Sequence, residues 1–178
     1  MDLEIRHFRT KQEYGQMVDY FTQSPETFLR GMGIDPAKVP SREDWLAEVW
    51  ADHHKPGPEK DRIYLAWIYE GELAGHSSIN KIRWGEDASI HLHLWKPELR
   101  RIGIGAEFFR RSVNLFFREP GFKKIYCEPY AENPAPNKVL SRLGFTLIKT
   151  YRTVPGSTCF EQNVNRWELL RPQTDDNL

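Results

Sequence analysis

The sequence predicts an α/β fold whose central sheet is mixed, mostly antiparallel and flanked by helices. Segments with an apolar residue at every second position alternate with segments that carry an apolar stripe at helical spacing. Three strand patterns between residues 63 and 95 are joined by tight turns, which is typical of an antiparallel meander. A long amphipathic helix then leads to the next strand, so we expect that strand to run parallel to the one before the helix.

A short strand and two helices are predicted at the start of the chain. Apolar residues within 3–8 indicate the strand, and Thr10 and Glu13 have the spacing of a capping box, at which a helix begins. Ser41 is a good N-cap for the second helix. Between the two helices, residues 24–40 contain three prolines and two glycines, and we expect a broken helix or a long surface loop there.

The remaining elements follow from the same patterns. Residues 105–116 place apolar side chains on one stripe and predict a long helix. Asn133 is a suitable N-cap for a shorter helix, with Pro134 at its first position and Gly144 where a helix ends in the left-handed conformation. The other predicted strands cover residues 63–69, 73–83, 88–95, 123–128, 145–151 and 160–170.

Composition and charge narrow the function classes. Twenty-five Lys and Arg residues balance 25 Asp and Glu residues. With a formal net charge of +0, the protein has no overall positive potential that would attract nucleic acid or an anionic membrane. No stretch approaches the ~18 apolar residues of a membrane span. We therefore expect a cytoplasmic protein with one domain at 1–172 and a polar tail at 173–178. The two cysteines have neither disulfide-framework nor zinc-site spacing, and we expect idle thiols.

Residues 91–106, HLHLWKPELRRIGIGA, join a strand to a helix through two arginines and a Gly-x-Gly. Such a turn places several backbone N–H groups and a helix N-terminus at the end of the strand, where they can bind an anion with several oxygens. Glycine lets the main chain approach such an anion without a Cβ collision. The sequence therefore predicts that this turn binds a pyrophosphate.

Two other phosphate-binding patterns fit the sequence less well. A P-loop is excluded because no G-x-x-x-x-G-K-[S/T] occurs in the chain. A dinucleotide-binding unit would need a third glycine where Phe108 stands, and its glycines would follow the strand directly. A single such unit behind an antiparallel meander also cannot build a doubly wound sheet.

Two motifs resemble one known family. Residues 100–106, RRIGIGA, match the R-x-x-G-x-G/A signature of the GNAT acetyltransferases, between an alternating strand and an amphipathic helix as in that family. Residues 133–145, NPAPNKVLSRLGF, resemble the family's later segment, in which an Asn precedes a short helix that ends in L-G-F. The order of elements also agrees. The chain looks most similar to the branch that acetylates the N-termini of ribosomal proteins.

The resemblance implies a GNAT fold with a splayed parallel strand pair and acetyl-CoA as co-substrate, without a metal. The pantetheine arm would pair with the backbone of His93, Leu94 and Trp95, and Asn133 and Asn137 would lie near the pantetheine and its thioester. The turn residues implied to bind the CoA pyrophosphate are Arg100, Arg101, Ile102, Gly103, Ile104, Gly105 and Ala106.

Acetyl transfer requires a group that removes a proton, because a lysine-type amine has a pKa of about 10.4 and attacks only when neutral. Glu128 is the leading candidate, since the branch that the chain resembles has a Glu at this position that serves as the general base. The alternative is that Glu128 only forms a structural salt bridge. His91 and His93 share a face of the preceding strand and are further candidates, although both could be structural. A metal held by these two histidines lacks a third ligand. Many relatives place a proton-donating Tyr where this chain has Leu140.

The acceptor is less well determined than the cofactor. The resemblance places the acceptor site between the two N-terminal helices and residues 24–40, and it leaves open a protein N-terminus, a free amino acid, a polyamine or an aminoglycoside. We expect acetyl-CoA and an amine as the partners, neither nucleic acid nor membrane, and a monomer or homodimer. The alternative function is a non-catalytic module that binds acyl-CoA.

Overall fold

A computed structural model describes residues 2–172 and shows a seven-stranded sheet with the order β1-β2-β3-β4-β5-β7-β6. The strands are β1 (Leu3–His7), β2 (Ile63–Tyr69), β3 (Glu72–Arg83), β4 (Asp87–Leu94), β5 (Lys124–Cys127), β6 (Thr146–Thr153) and β7 (Gln162–Leu170). The α-helices are α1 (Lys11–Thr22), α2 (Glu26–Gly31), α3 (Arg42–His53), α4 (Ile104–Arg118) and α5 (Pro134–Arg142). Neighbouring strands are antiparallel except β4 and β5. The predicted fold class is confirmed. The predicted tail, 173–178, lies outside the described residues.

The helices begin where the sequence places N-caps. The Thr10 hydroxyl accepts a hydrogen bond from the Glu13 backbone N–H at 3.3 Å, and the Glu13 carboxylate accepts one from the Thr10 N–H at 3.3 Å. Ser41 and Asn133 cap α3 and α5 in the same way, each with its side-chain oxygen. These bonds satisfy N–H groups that the first helical turn leaves without an intrahelical partner.

The sheet carries helices on both faces, and β4 contributes side chains to each. On what we name the α4 face, Ile90 packs with the apolar stripe of α4 and with α5. On the opposite α1 face, α1 and α3 cover a second cluster, and His93 contacts Phe21 of α1. Because side chains alternate along a strand, the odd-numbered residues of β4 lie on the α1 face. This alternation agrees with the sequence prediction.

The parallel pair is short. Register contacts between β4 and β5 extend only from Asp87 opposite Lys124 to Ser89 opposite Tyr126. From Ile90 to Leu94, β4 continues without β5 beside it, because β5 ends at Cys127 and residues 129–131 continue along β7. The two strands therefore separate, as the family resemblance implies, and one edge of β4 is left open.

The segment 24–40 is a broken helix, as predicted. It contains α2 and a short 3-10 turn, and it contacts the loop that joins β6 to β7. The Asp35 N–H donates to the Thr158 carbonyl at 2.9 Å, and the Gln162 side-chain amide donates to the Gly33 carbonyl at 2.7 Å. These bonds join segments that are far apart in sequence.

Gly75 is required by the close approach of β3 and β4. A Cβ at this position would lie 2.3 Å from the His93 carbonyl oxygen, which belongs to the facing backbone. We expect Gly75→Ala to lower the free energy of unfolding by about 1–3 kcal/mol, the usual cost of overpacking. Gly31→Ala is the matched control, because no heavy atom lies within 4 Å of its Cβ position. Equal urea midpoints for the two variants would contradict this account.

Candidate functional site

The helix α4 differs from α1, α3 and α5 because no side chain caps its N-terminus. Gly103 occupies the N-cap position with φ +87°, and Arg101 also has a left-handed φ of +69°. Within residues 2–172, the backbone N–H groups of 101–105 donate no hydrogen bond to the protein, whereas the Ala106 N–H bonds to the Gly103 carbonyl at 3.2 Å. A helix N-terminus with unpaired donors favours an anion.

The two motif glycines have different roles. Gly103 has the left-handed conformation that L side chains rarely adopt, so the turn itself requires glycine there. Gly105 has no such constraint, and a Cβ added to it would lie 3.6 Å from Leu94 Cδ2, an ordinary van der Waals contact. The fold therefore does not require glycine at 105, and close approach by a bound group is the remaining reason for it.

The two arginines of the turn have different partners. The Arg100 guanidinium donates to the Leu94 carbonyl from Nε at 3.3 Å and from Nη2 at 3.1 Å, and it lies 5.0 Å from the centre of the Phe28 ring. Arg100 thus connects β4, the turn and α2. Arg101 is exposed, and its guanidinium makes no hydrogen bond to the residues that the structure describes. Of the two side chains, only that of Arg101 extends freely from the turn.

The open edge of β4 presents fewer of the predicted backbone groups than the resemblance implies. The Trp95 N–H bonds to the Ala74 carbonyl of β3 at 2.8 Å, and His93 lies opposite His76 in the same ladder. Backbone groups alternate in direction along a strand, so His93 and Trp95 point to β3. Leu94 points to the open edge, together with Leu92, which sequence analysis did not select. The pantetheine edge stays a prediction, and the direction of these backbone groups favours Leu92 and the Leu94 N–H for it.

His91 and His93 lie on the α1 face in surroundings that keep them neutral. His91 Nε2 is 3.0 Å from Asn80 Oδ1, and the His93 ring stacks on that of His76 with centroids 4.9 Å apart. Burial lowers the pKa of His91 to about 4 and that of His93 to about 3. Both rings are therefore weak proton acceptors at neutral pH.

Glu128 follows the end of β5, and its side chain is 6% exposed. Its Oε1 accepts hydrogen bonds from the Tyr151 hydroxyl and from Arg166 Nη1, the latter at 3.0 Å. The other oxygen, Oε2, has Lys81 Nζ at 3.9 Å, beyond hydrogen-bond distance. Both direct bonds thus converge on one oxygen, and the carboxylate is oriented with the second oxygen available.

The two asparagines of the later motif hold the local fold together. The Asn133 side chain accepts from the Ala135 N–H at 3.3 Å as the N-cap of α5. The Asn137 amide nitrogen donates to the Asn133 and Tyr130 carbonyls, and its oxygen accepts from Trp167 Nε1 at 2.8 Å. The Asn137 side chain is therefore fully engaged by the protein.

Leu140, Cys127 and Tyr151 differ in whether they can donate a proton. Leu140 is 0% exposed and lies in the core, so the proton-donating position of many relatives is apolar here. Burial raises the pKa of the Cys127 thiol to about 12 and keeps it protonated. Burial, followed by the hydrogen bond to Glu128, raises the pKa of Tyr151 to about 12, so this hydroxyl remains a donor.

The sequence indicated neither Lys81 nor Arg166 beside Glu128, and it offered Tyr151 only as a proton donor in place of Leu140. Lys81, Tyr151 and Arg166 come from three different strands, and no local pattern connects them with Glu128. Within the described part of the chain, no group of three His, Cys, Asp or Glu side chains is arranged to hold a metal ion. No helix among residues 2–172 is long and apolar enough to span a membrane.

Comparisons with known proteins agree with this geometry. The family described as "Acetyltransferase (GNAT) domain" matches residues 2–146. No curated protein sequence matches the chain. The fold is similar to that of RimL, a ribosomal L7/L12 α-N-protein acetyltransferase in complex with coenzyme A, with a TM-score of 0.76 and 18% identity over 94% of this chain and 93% of that one.

Two further solved structures have a similar fold. A spermidine N-acetyltransferase from Vibrio cholerae, in complex with CoA and spermine, has a TM-score of 0.74 and 18% identity over 94% of this chain and 95% of that chain. The microcin C7 self-immunity acetyltransferase MccE, in complex with acetyl-CoA and AMP, has a TM-score of 0.74 and 18% identity over 94% and 93%. At these identities the likeness establishes a shared fold.

The histidines predict a loss of stability as the pH falls below neutrality. An unfolded His binds its proton near pH 6.5, whereas folded His91 and His93 bind theirs near 4 and 3. Between these values the unfolded state holds more protons, so the free energy of unfolding decreases with falling pH, by at most about 1.4 kcal/mol per unit for each histidine. Denaturant titrations from about pH 7 to about pH 5 measure this slope.

Replacing one buried histidine tests the origin of that slope. We expect His93→Phe to reduce the slope of the free energy of unfolding against pH by the contribution of one histidine. This change is independent of the variant's stability at neutral pH. Asn114→Ala, at an exposed position of α4, is the control: it removes no titratable group and should leave the slope unchanged. Identical slopes for wild type and His93→Phe would show that His93 does not cause the effect.

Proposed function

The chain belongs to the GNAT acetyltransferase family, and from this membership we propose that it transfers an acetyl group from acetyl-CoA to a primary amine by direct attack on the thioester. The family match covers residues 2–146, and relatives of the same fold were crystallised with CoA or acetyl-CoA. We propose that residues 1–172 form one acyltransferase domain and that the protein acts in the cytoplasm. Monomer and homodimer both remain predictions, and one relative of this fold is dodecameric.

The main support for CoA binding is the N-terminus of α4, which no side chain caps. The free N–H groups of 101–105 belong to the turn between β4 and α4. This turn lies beside the part of the β4 edge that β5 does not cover. We assign the CoA pyrophosphate to these N–H groups, with Arg101 as the nearby cation. Leu92 presents both of its backbone groups to the pantetheine arm, whereas Leu94 presents only its N–H, because Arg100 already binds the Leu94 carbonyl. Acetyl-CoA is the co-substrate in this scheme, and none of its steps needs a metal.

Glu128 is the proposed general base, acting through Oε2. Tyr151 and Arg166 occupy Oε1 and hold the carboxylate in place, so a proton from the acceptor ammonium can pass to the other oxygen. The neutral nitrogen then forms a bond to the thioester carbonyl carbon, and the C–S bond breaks to release CoA as a thiolate. The nitrogen loses its second proton to this thiolate, so the products are the amide and CoA with a free thiol. An unactivated thiol has a pKa near ~8.5, so this leaving group needs no strong acid, consistent with the apolar Leu140.

The other predicted site residues take supporting roles. His91 and His93, predicted as proton acceptors, are assigned to the wall of the site because their lowered pKa values make them much weaker bases than the reaction needs. Asn137 connects α5 to β7 rather than binding the cofactor, because its amide is already bonded on both atoms. Asn133 positions the N-terminus of α5.

A non-catalytic acyl-CoA-binding module is the second candidate function. The ion pair between Glu128 and Arg166 favours it, since a paired carboxylate can be purely structural. A thiol-release assay with acetyl-CoA against a panel of amines and N-terminal peptides separates the two functions. Acetyl-CoA binding without thiol release for any acceptor would leave only the binding module.

Gly105→Ala tests the cofactor assignment. We expect the Kd for CoA to rise at least about tenfold, because the new Cβ would obstruct close approach and weaken a bond to a charged oxygen. Stability should stay equal or rise by up to about 1 kcal/mol, since alanine is the better helix former. Calorimetry with CoA measures the first effect and urea denaturation the second. Gly57→Ala, between α3 and β2, is the control, because a Cβ at this position would meet no heavy atom within 4 Å. Equal CoA affinity in all three proteins would refute the assignment.

Glu128→Gln tests the base. We expect kcat to fall by about 10²- to 10⁴-fold, the usual contribution of a positioned base, with the Kd for CoA unchanged. Gln keeps the size of the side chain and one acceptor oxygen for Tyr151 and Arg166, which limits structural damage. Glu132→Gln, on the loop before α5, is the control substitution and should keep normal turnover. Undiminished turnover in Glu128→Gln would remove the assignment.

A further inference from the structure

Seven charged side chains on the α1 face form a chain of alternating sign that connects β3, β4, β5 and β7. We name it the charge chain, and it consists of Arg83, Asp87, Lys124, Glu168, Arg166, Glu128 and Lys81. Arg83 and Asp87 make a close bidentate pair, and the other neighbours are 2.8–3.9 Å apart. The chain begins and ends with a cation, and both ends lie in one short segment of β3.

A β-bulge places Lys81 at the end of this chain. Asn80 lies opposite Ser89, and the next register pair is Arg83 opposite Asp87, so two residues of β3 face one residue of β4. Lys81 is the extra residue, with a left-handed φ of +49°. Simple alternation would direct Lys81 into the core; the bulge lets Ile82 pack there instead. A non-glycine residue held in this conformation is a feature often found at functional sites.

The charge chain borders a cavity of about 530 Å³. Glu128 does not line this cavity, but Lys81 and Arg166 do, and these two side chains lie 3.9 and 3.0 Å from its carboxylate oxygens. Tyr126, Lys81, Arg83, Arg166, Asp61 and Asp87 contribute to its lining. This volume is in the range of small-molecule sites. All of these residues lie between 61 and 166, outside the segment 24–40 that the family resemblance implies for the acceptor.

The charges of the lining favour an acceptor with an anionic group. Asp61 is paired with Lys55, and Asp87 with Arg83, so neither carboxylate is open to a cationic ligand. Lys81 is different: its side chain is 48% exposed, and among residues 2–172 no carboxylate oxygen lies closer to its ammonium than 3.9 Å. A polyamine would meet three cationic side chains in the lining and two carboxylates that already have partners.

We infer that the cavity binds a small-molecule acceptor whose amine is close to an anionic group, a carboxylate or a phosphate, and that Lys81 binds this group. The inference rests on the proposed function, because it takes Glu128 as the base. Lys81 Nζ and Glu128 Oε2 are 3.9 Å apart, so one ligand that contacts both carries its amine and its anion on adjacent or next-adjacent atoms. Free α-amino and β-amino acids have this arrangement, as do small amino phosphates.

Acceptor pairs that differ only in charge test the inference. Thiol release from acetyl-CoA is measured with the standard amino acids, their carboxamides, phosphoethanolamine, N-terminal peptides and spermidine. For at least one anionic acceptor we expect kcat/KM to exceed that of its neutral counterpart by about tenfold or more, since a hydrogen bond to a charged group is lost. The amino acids and phosphoethanolamine distinguish a carboxylate from a phosphate.

Variants of Lys81 connect the preference to this side chain. We expect Lys81→Met to abolish the preference for the anionic member of the pair and Lys81→Arg to retain it, with unchanged Kd for CoA in both. Lys11→Met, at an exposed lysine of α1, should keep the wild-type preference.

Three outcomes would overturn the inference. Carboxamides or spermidine used as well as the acids would show that no anionic group is recognised, while acetyl transfer itself would stand. An unchanged preference in Lys81→Met would show that another group recognises the anion. Thiol release with no acceptor at all, despite CoA binding, would remove the proposed function and this inference together.

Discussion

The site depends on the early separation of β4 from β5. If the parallel ladder continued beyond Ser89, the backbone groups of Leu92 and Leu94 would be consumed by β5 and no open edge would exist. Because β5 ends at Cys127 and the residues after it continue along β7, the end of β5 places Glu128 at one side of the gap. The N-terminus of α4 lies at the same gap, and its first N–H groups are free within residues 2–172. One interruption in a ladder thus creates the cofactor edge, the anion site and the position of the carboxylate.

Burial of Glu128 explains why so many strands contribute to its surroundings. A carboxylate that is 6% exposed requires partners, and these come from β3, β6 and β7. Such partners stabilise the charge but also reduce the number of oxygens available for chemistry. Here Tyr151 and Arg166 share Oε1, so the stabilising bonds and the open oxygen coexist in one carboxylate.

Predictions from sequence succeeded for features that depend only on residues close together in the chain. A helix start depends on a cap and its next three residues, and Thr10, Ser41 and Asn133 all act as caps. Strand alternation placed His91 and His93 on one face correctly. It did not indicate that both would be desolvated enough to lower their pKa values, because burial depends on α1 and on the neighbouring strand.

The sequence by itself determined the order of strands and helices, the N-caps of α1, α3 and α5, and the glycine turn at 100–106, since each depends on residues a few positions apart. Tertiary structure alone decided which groups of that turn are free, which backbone atoms of β4 face the gap, and what surrounds Glu128. Lys81 shows the reason most clearly. Alternation along β3 would bury it, and only the pairing of β3 with β4 shows the bulge that turns it to the α1 face. Contacts between distant strands are set by the packing of the whole sheet, which no short stretch of sequence contains.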